Sequence, residues 1–501
     1  MQEQNVSEEP IVGATEITGP QLRPAPSIGK AWRDRASWAV RGLGPPTVPI
    51  GVPSTSDDIS QQHARLVIDL ALRVGEALLS TGASAADVVT TVLRLTAAYG
   101  IHSTHVDITF TSISVSIQRG ANEDPLSVMR VVKVRSADYS RLEELYNLVE
   151  EIAFARDNGH EVIEVEDARQ QLSDILVRPH PHRRWVATAG LSCIAVGVTW
   201  IFGAGPVMWI VAAISAALVD QTQRFSQKIG LAGFFANALS ASIPTFIAAG
   251  LTALGSAMGG IPGLNSPSVV VVSGIIVLLA GLSVLGAAQD AIDGYYLTSA
   301  ARGIEVLMMT LGIGIGTALA LQISTALGVG MSISPYVTLG GSPLFGTLGA
   351  MLVALGFSLA TYTGVRATML GIALSGAAWI LFELVSLFQF SIGPTVAIPA
   401  VVVGFAGYYL HRQLRVPELA ITTAAIISLL PGLAVYKGLF LLMEDSEAGA
   451  YITAIYVQFS VVIGTGIGLA AGLSIGAYLA RKQIGTDRSA IRARRRGVGA
   501  Y

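Results

Sequence analysis

Residues 426–435 read IISLLPGLAV and residues 275–284 read IIVLLAGLSV, so a nearly identical apolar run occurs twice, 151 positions apart. A set of glycines repeats after 152 positions, since Gly312, Gly314 and Gly316 correspond to Gly464, Gly466 and Gly468. Two separate segments with nearly the same offset indicate an internal repeat rather than chance similarity between two apolar helices. The apolar character of the runs indicates that the repeated unit is built from membrane-spanning helices.

The composition around these runs is that of a membrane protein. Of the 501 residues, 52% are hydrophobic, and the mean hydropathy is +0.58. Residues 186–480 contain only 7 Lys/Arg and 9 Asp/Glu, whereas about a quarter of the residues in an average soluble domain are charged. A spanning helix takes about 20 apolar residues. Ten apolar runs approach or exceed this length: 186–203, 205–219, 231–254, 269–288, 304–326, 344–364, 368–389, 394–410, 418–442 and 452–480. The predicted fold class is therefore a polytopic α-helical membrane protein with about ten transmembrane helices.

The repeat divides these helices into two halves of five, over residues 186–330 and 340–480. The fourth run corresponds to the ninth and the fifth to the tenth. Because five is an odd number, the second half must have the opposite orientation in the membrane. Inverted repeats of this kind are typical of secondary transporters, whose substrate sites lie near the midplane between the halves.

The Lys and Arg residues predict the orientation, because cytoplasmic loops of membrane proteins are enriched in them. If the N-terminus is cytoplasmic, the cations that fall in cytoplasmic loops are Arg224, Lys228, Arg302, Arg366, Arg412 and Arg415, and the tail over residues 481–501 is also basic. The opposite loops, 260–267, 331–343 and 444–450, contain no Lys or Arg, and Lys437 is the exception in the apolar region. We therefore predict a plasma-membrane protein with both termini in the cytoplasm.

The residues before the apolar region have a soluble composition. Residues 1–58 are rich in Pro, Gly and charge and are predicted to form a disordered tail. Residues 59–180 are predicted to form a cytoplasmic α+β domain with two helices on each side of a sheet. Its helices are predicted over 63–79, 84–100, 141–156 and 162–176, and its strands over 105–118 and 131–134. Ser84 and Asp87 form a capping-box pattern at the start of the second helix.

Several classes of protein are excluded by the same composition. A net charge of −2 gives no overall attraction to nucleic acid. Cys193 is the single cysteine, so neither a disulfide within the chain nor a cysteine-rich metal site is expected. The sequence predicts no metal, no cofactor and no cleavable signal peptide, and it contains no Walker A motif. The oligomeric state, including a homo-oligomer, is left open.

Charged residues near a bilayer are costly and therefore mark candidate functional sites. The first group follows the fourth run and consists of Gln289, Asp290, Asp293, Arg302 and Glu305. Asp290 and Asp293 are three residues apart and share a helix face, and Arg302 and Glu305 have the same spacing. Acids and a base at a cytoplasmic mouth can bind the ammonium and carboxylate groups of a small zwitterion. The alternative is a solvated loop whose arginine only sets the topology.

The second group lies in the ninth run and consists of Pro431, Tyr436 and Lys437. Proline in a helix removes a backbone hydrogen bond, and a broken helix exposes polar backbone at membrane depth. The alternative is a packing kink beside a lysine that reaches the interface. Glu383, deep in the seventh run, is either a proton carrier or a neutral acid bonded to a neighbouring helix.

An enzymatic alternative rests on His105, Asp107 and Thr109, which alternate on one face of a predicted strand. A histidine, a carboxylate and a hydroxyl can perform hydrolysis. No nucleophile elbow, metal-ligand spacing or phosphate-binding loop accompanies them, so an ordinary polar strand face is the simpler interpretation.

The chain resembles the threonine/serine exporter family of bacteria from about residue 63 to 480. The resemblance is carried by residues 79–84 (LSTGAS), 105–109 (HVDIT), 289–290 (QD), 300–302 (AAR) with Glu305, and 430–438 (LPGLAVYKG). It implies a cytoplasmic N-terminal domain, ten spans, and export of L-threonine and L-serine driven by the proton motive force. Split relatives of the family are associated with export of dicarboxylates such as succinate, which remains the alternative substrate class. Glu383 belongs to no motif of the family.

Overall fold

The computed structural model describes residues 60–117, 124–132, 138–259, 267–278, 281–329, 341–414, 416–443 and 448–484. The predicted disordered tail over residues 1–58 lies outside these residues, and so does the basic tail beyond Ile484. Arg415 and most of the three loops without Lys or Arg also lie outside them. Within the described ranges the chain forms sixteen α-helices and three β-strands.

The N-terminal part, residues 60–177, contains four helices whose ends follow from local sequence signals. They are α1 (Gln61–Thr81), α2 (Ala85–Ala98), α3 (Tyr139–Asp157) and α4 (Val165–Val177), as predicted to within a few residues. Gly82 ends α1 with a φ of +100°, which glycine adopts without strain. Ser84 caps α2: its hydroxyl accepts a hydrogen bond from the backbone N–H of Asp87 and donates one to the Asp87 carboxylate. The N-cap half of the predicted capping box is therefore confirmed, whereas the Asp87 carboxylate accepts the Ser84 hydroxyl and not the Ser84 backbone N–H of a full capping box.

The chain between α2 and α3 forms a three-stranded antiparallel sheet in the order β1-β2-β3. Its strands are β1 (Thr104–Thr109), β2 (Ser112–Ile117) and β3 (Leu126–Val131). The single strand predicted over 105–118 is wrong, because β1 and β2 form a hairpin in which Thr109 pairs with Ser112. Buried positions change from even numbers, such as Ile108, to odd numbers, such as Ile113, and this change requires a turn. The strand predicted over 131–134 begins earlier, and residues 133 and 134 lie outside the described ranges.

Two of the four helices cover one face of the sheet, and the other two pack on these helices. Helix α1 packs on β2 and β3, α2 packs on β1, and α3 and α4 pack on α1. The predicted arrangement with two helices on each side of the sheet is therefore wrong. The opposite face of β1 carries the exposed side chains of His105 and Asp107, which offer no apolar surface to a helix.

The apolar region continues as twelve further helices. They are α5 (Arg184–Ile201), α6 (Pro206–Lys228), α7 (Gly233–Ala257), α8 (Pro267–Leu278), α9 (Gly281–Ile292), α10 (Tyr296–Ala326), α11 (Pro343–Ala360), α12 (Val365–Ser386), α13 (Ile392–Leu414), α14 (Glu418–Ile426), α15 (Gly432–Met443) and α16 (Ala448–Ile484). Among the described residues, seven helices are long and apolar enough to cross a membrane, and nine spans result if α8–α9 and α14–α15 each form one bent span. Helix α6, which covers the short second run, has a polar C-terminal end and is therefore not among the seven helices that are apolar enough to cross a membrane. The helices agree with a polytopic membrane protein.

The same helix pairs are in contact in both halves of the apolar region. In the first half α5 packs on α6, α6 on α8, and α7 on α10. In the second half α11 packs on α12, α12 on α14, and α13 on α16. The repeated glycines lie at these contacts, because a Cβ on Gly316 would overlap the Ala238 carbonyl, and one on Gly468 would lie 2.6 Å from the Gly393 carbonyl oxygen. The glycine rows therefore allow close helix approach, as predicted.

Candidate functional site

Two helices of the apolar region are bent, and both bends fall in the repeated runs. Helices α8 and α9 differ in direction by 48°, and the α14 segment and α15 differ by 46°. Pro431 explains the second bend, because proline has no N–H to donate and Leu430 before it is extended, with a ψ of 149°. The bends are adjacent, since a Cβ on Gly432 would lie 3.0 Å from Ile276 Cγ1. The irregular backbone at Pro431 of the second half therefore packs on α8 of the first half, close to where α8 ends, and protein interiors are where membrane proteins tolerate irregular backbone.

The other two predicted residues of the second group follow this bend on α15. Tyr436 is buried in an apolar cluster that includes Val272 and Ile275 of α8. Lys437 is half-buried and lies about 9 Å beyond Pro431 along the chain axis, at 1.5 Å per helical residue. The structure thus keeps the second group together, beside the bend of the first half.

A buried ion pair joins α9 to α10 and contains two residues of the first group. Arg302 Nε lies 3.2 Å from Asp290 Oδ2, and the Asp290 side chain is 0% exposed. The guanidinium passes over Gly286, where a Cβ would overlap it. Gln289 and Glu305 are half-buried on the same two helices. Asp290 is ten residues past the α8–α9 bend, or about 15 Å, so the two groups lie at different depths.

The turn between α1 and α2 covers this ion pair. The backbone N–H of Ala85 donates to Asp290 Oδ1 (3.2 Å), and Arg302 Nη2 donates to the carbonyl of Ala83 (3.4 Å). Ala85 is the first residue of α2, and helix N-termini favour a negative charge because their N–H groups lack helical partners. The STGAS sequence over residues 80–84 therefore docks on the charged pair of the apolar helices.

Further hydrogen bonds join the N-terminal part to the same side of the apolar helices. The Thr298 hydroxyl at the start of α10 donates to the carbonyl of Ile108 (3.3 Å). The backbone N–H of Tyr139 donates to the carbonyl of Thr361 (2.9 Å), and the Thr423 hydroxyl donates to the Tyr139 oxygen (3.4 Å). The N-terminal part thus contacts three separate segments, which are the start of α10, the turn after α11, and α14.

Asp293, the remaining member of the first group, follows α9 and is half-buried. Burial raises the pKa of Asp293 to about 6, and the charges of Asp87 and Asp290 add to the rise, whereas Arg481 opposes it. Its carboxylate therefore becomes protonated at about pH 6, whereas an exposed aspartate does so at about pH 4.

Glu383 lies apart from both groups. Its Oε1 accepts a hydrogen bond from Trp379 Nε1 (2.8 Å) on the same helix. The other end of α12 meets the N-terminal part, because a Cβ on Gly364 would lie 3.2 Å from Glu143 Oε2. Nineteen helical residues separate Gly364 from Glu383, or about 28 Å. The proton-carrier role of Glu383 stays a prediction, and the structure does not bring this residue to Asp290.

A further polar group in the apolar region was not predicted from the sequence. Asp220 on α6 is buried, lies 2.6 Å from Arg224, and accepts a hydrogen bond from Thr188 of α5 (2.7 Å). The spacing of four residues between the acid and the arginine was a readable signal. No group of three or more His, Cys, Asp or Glu within the described ranges has the arrangement of a metal site.

Comparisons with known proteins agree with this architecture. A family model described as "Putative threonine/serine exporter" matches residues 69–324, and one described as "Threonine/Serine exporter, ThrE" matches residues 346–478. A protein of Mycobacterium tuberculosis named "Probable threonine/serine exporter" is 33% identical over 454 residues, which are 88% of this chain and 82% of the relative. The "Threonine/serine exporter" of Corynebacterium glutamicum is 31% identical over 444 residues, which are 87% and 86% of the two chains.

No solved structure matches the chain. The two family models together cover both halves of the apolar region and most of the N-terminal part. Both relatives are matched over more than four-fifths of their length. This multi-pass membrane protein therefore belongs to the threonine/serine exporter family, which is a family of transporters and not of enzymes.

Proposed function

We propose that the protein is a secondary active exporter of L-threonine and L-serine that works by proton antiport. The names of both relatives support the substrate class. The lack of a Walker A motif in the sequence supports coupling to an ion gradient. One proton entering through about 180 mV releases about 4 kcal/mol. That free energy sustains about a thousandfold gradient of a neutral zwitterion.

We further propose ten spans in two inverted halves, with α6 as the second span and the N-terminal part as a cytoplasmic domain. The matching helix contacts of the two halves support the repeat. The gap between the two family matches, residues 325–345, falls between α10 and α11 and supports the same division. The N-terminal part contacts the segments that contain Arg302 and Thr361, on the side that the Lys/Arg distribution assigns to the cytoplasm.

The meeting of the two bends is the observation on which the transport path rests. In inverted-repeat transporters, broken helices at the interface of the repeats supply backbone groups for the substrate. Here one bend from each half lies at the Ile276–Gly432 contact. We place the central substrate site at this contact, with Lys437, six residues beyond Pro431, as the cation for the substrate carboxylate.

The Asp290–Arg302 pair lies on the cytoplasmic branch of the same path. A zwitterion carries both charges of an ion pair, so its ammonium can replace Arg302 at Asp290 while its carboxylate replaces Asp290 at Arg302. Because the turn over residues 80–84 covers this pair, the turn must move before a substrate reaches it. A dicarboxylate would find Arg302 already neutralised by Asp290.

A reversible crosslink across the two bends tests this path. Cys193→Ser removes the single cysteine, and Ile276→Cys with Gly432→Cys then places two thiols at the contact. A Cβ on Gly432 would lie 3.0 Å from Ile276 Cγ1, so the two Cβ atoms are close enough for a disulfide, which joins Cβ atoms about 3.5–4.5 Å apart. We expect oxidation to stop labelled threonine flux in proteoliposomes at least tenfold, and a reductant to restore it.

The two single-cysteine variants, oxidised in the same way, are the matched controls and should keep their flux. Full threonine flux through the crosslinked protein would contradict the proposal, because the bends would then not open during transport. A crosslink that never forms would contradict the adjacency of the two bends.

A further inference from the structure

The chain between α9 and α10 forms a tight turn beneath the N-terminal part. Gly294 in this turn has a φ of +89°, a conformation that favours glycine. The backbone N–H of Tyr295 donates to the carbonyl of Asp290 (2.7 Å) and fixes the tyrosine one turn beyond the buried ion pair. Asp290 before this tyrosine and Thr298 after it both form hydrogen bonds with the N-terminal part, so Tyr295 lies where the apolar helices meet that part.

The Tyr295 hydroxyl is a buried polar group without a partner. The residue is only 8% exposed, and among the described residues its hydroxyl oxygen has no hydrogen-bond partner. Burial raises the pKa of Tyr295 to about 12, and the negative charges of Asp293, Asp290, Asp87 and Asp107 add to the rise. Hydrogen bonds from Ala85 to Asp290 and from Thr298 to Ile108 bring the neighbouring residues Asp87 and Asp107 to this turn. We call the five residues Asp87, Asp107, Asp290, Asp293 and Tyr295 the acidic vestibule.

The carboxylates of the vestibule differ in whether they form an ion pair or a hydrogen bond with another residue. Asp290 is paired with Arg302, and Asp87 accepts the Ser84 hydroxyl. The Asp293 carboxylate makes no hydrogen bond or ion pair with any residue that the structure describes; its electrostatic contact is with Arg481. The Asp293 carboxylate and the Tyr295 phenol oxygen, two residues apart, are thus acceptors to which no described residue donates a hydrogen bond.

We propose that the acidic vestibule binds the primary ammonium group of the cytoplasmic amino acid between the Asp293 carboxylate and the Tyr295 hydroxyl. This site rests on the proposed function, because it receives the substrate one helical turn before the Asp290–Arg302 pair. An ammonium group has three N–H donors and no acceptor, which matches a site made of oxygen acceptors. Asp293, rather than Asp290, is then the first acid that the substrate meets.

Binding to the full-length protein in detergent tests the site with four probes. L-threonine and L-threonine methyl ester both carry the ammonium, 2,3-dihydroxybutanoate has a hydroxyl in its place, and sodium chloride supplies an inorganic cation. We expect calorimetry to detect the first two compounds only, and Asp293→Asn or Tyr295→Phe to weaken both at least tenfold. Asp174→Asn, which neutralises an exposed aspartate of α4, is the matched control and should bind as the unaltered protein does.

Three results would overturn the proposal. They are unchanged affinity in both variants, equal binding of the compound without an amine, and displacement of threonine by millimolar sodium. Both substitutions preserve side-chain shape, and thermal unfolding confirms that each variant is folded. Threonine flux is measured in parallel. If the unaltered protein transports threonine but the variants bind it with unchanged affinity, only the proposed ammonium site is disproved. If the unaltered protein transports no threonine, the proposed function is disproved as well.

The affinity of the vestibule should depend on pH, because protonated Asp293 cannot pair with an ammonium. With a pKa of about 6, Asp293 is ionised above pH 7, so affinity should be constant there and fall about tenfold per pH unit below 6. Asp293→Asn should remove this dependence. The ionisable groups that act directly on Asp293 or respond to it are Asp87, Asp290, Arg481 and Tyr295. Asp107, Arg302 and Glu418 interact with these groups in turn. An unchanged pH profile in Asp293→Asn would assign the dependence to one of them.

Discussion

Replacing Arg302 with methionine should destabilise the protein by about 3–5 kcal/mol, the usual cost of leaving a buried charge without its partner. Asp290 is fully buried, and Arg302 is the cation that the structure places against it. The loss should also weaken the attachment of the N-terminal part, since Arg302 bonds to Ala83 and Asp290 to Ala85. Thermal unfolding in detergent and protease sensitivity of the N-terminal part measure both effects.

The double variant Asp290→Asn with Arg302→Met separates a structural from a functional role. It removes both charges, so most of the lost stability should return, while threonine export should remain at least tenfold below that of the unaltered protein. Arg178→Met is the control, because its pair with Glu144 is exposed and is worth at most about 1 kcal/mol. Normal export by the double variant would show that the pair is structural only.

Replacing Gly316 with alanine should separate α10 from α7. A Cβ at this position would overlap the backbone carbonyl of Ala238, and backbone cannot move aside as a side chain can. Overpacking in a well-packed interior costs about 1–3 kcal/mol and sometimes more. We expect a thermal midpoint several degrees lower, a smaller folded yield and a matching loss of export.

Gly303→Ala on the same helix is the matched control. A Cβ on Gly303 meets no atom within 4 Å, so alanine should leave stability unchanged or raise it through its better helix propensity. The repeat predicts that Gly468→Ala, facing Gly393 in the second half, repeats the defect of Gly316→Ala. Equal stability of the Gly316 and Gly303 variants would contradict the close contact of α7 and α10.

The features that the sequence predicted correctly depend on local signals. The capping box of Ser84 and Asp87 involves residues three apart, and the apolar runs need only a count of charges. The hairpin of β1 and β2 was readable in principle, because the buried positions change parity between Ile108 and Ile113. The side of the sheet on which α3 and α4 lie was not readable, because it depends on contacts among helices distant in sequence.

In the candidate site, too, features with a local signal were predictable from the sequence and contacts between distant residues were not. Asp290 and Arg302 were placed in one group because both follow the fourth apolar run, and the structure pairs them. The docking of Ala85 on Asp290 joins residues 205 positions apart, and a single sequence contains no signal for such a contact. Tyr295 was missed because a tyrosine in a turn becomes informative only when its hydroxyl is found buried and without a partner.

The most direct test of the proposed function is labelled L-threonine efflux from proteoliposomes with and without an inward proton gradient, with labelled succinate in matched vesicles. We predict threonine efflux that the gradient stimulates at least tenfold, competition by L-serine, and no succinate flux. Succinate flux without threonine flux would contradict the amino acid assignment and favour dicarboxylate export. Threonine flux that is indifferent to the proton gradient would contradict proton antiport.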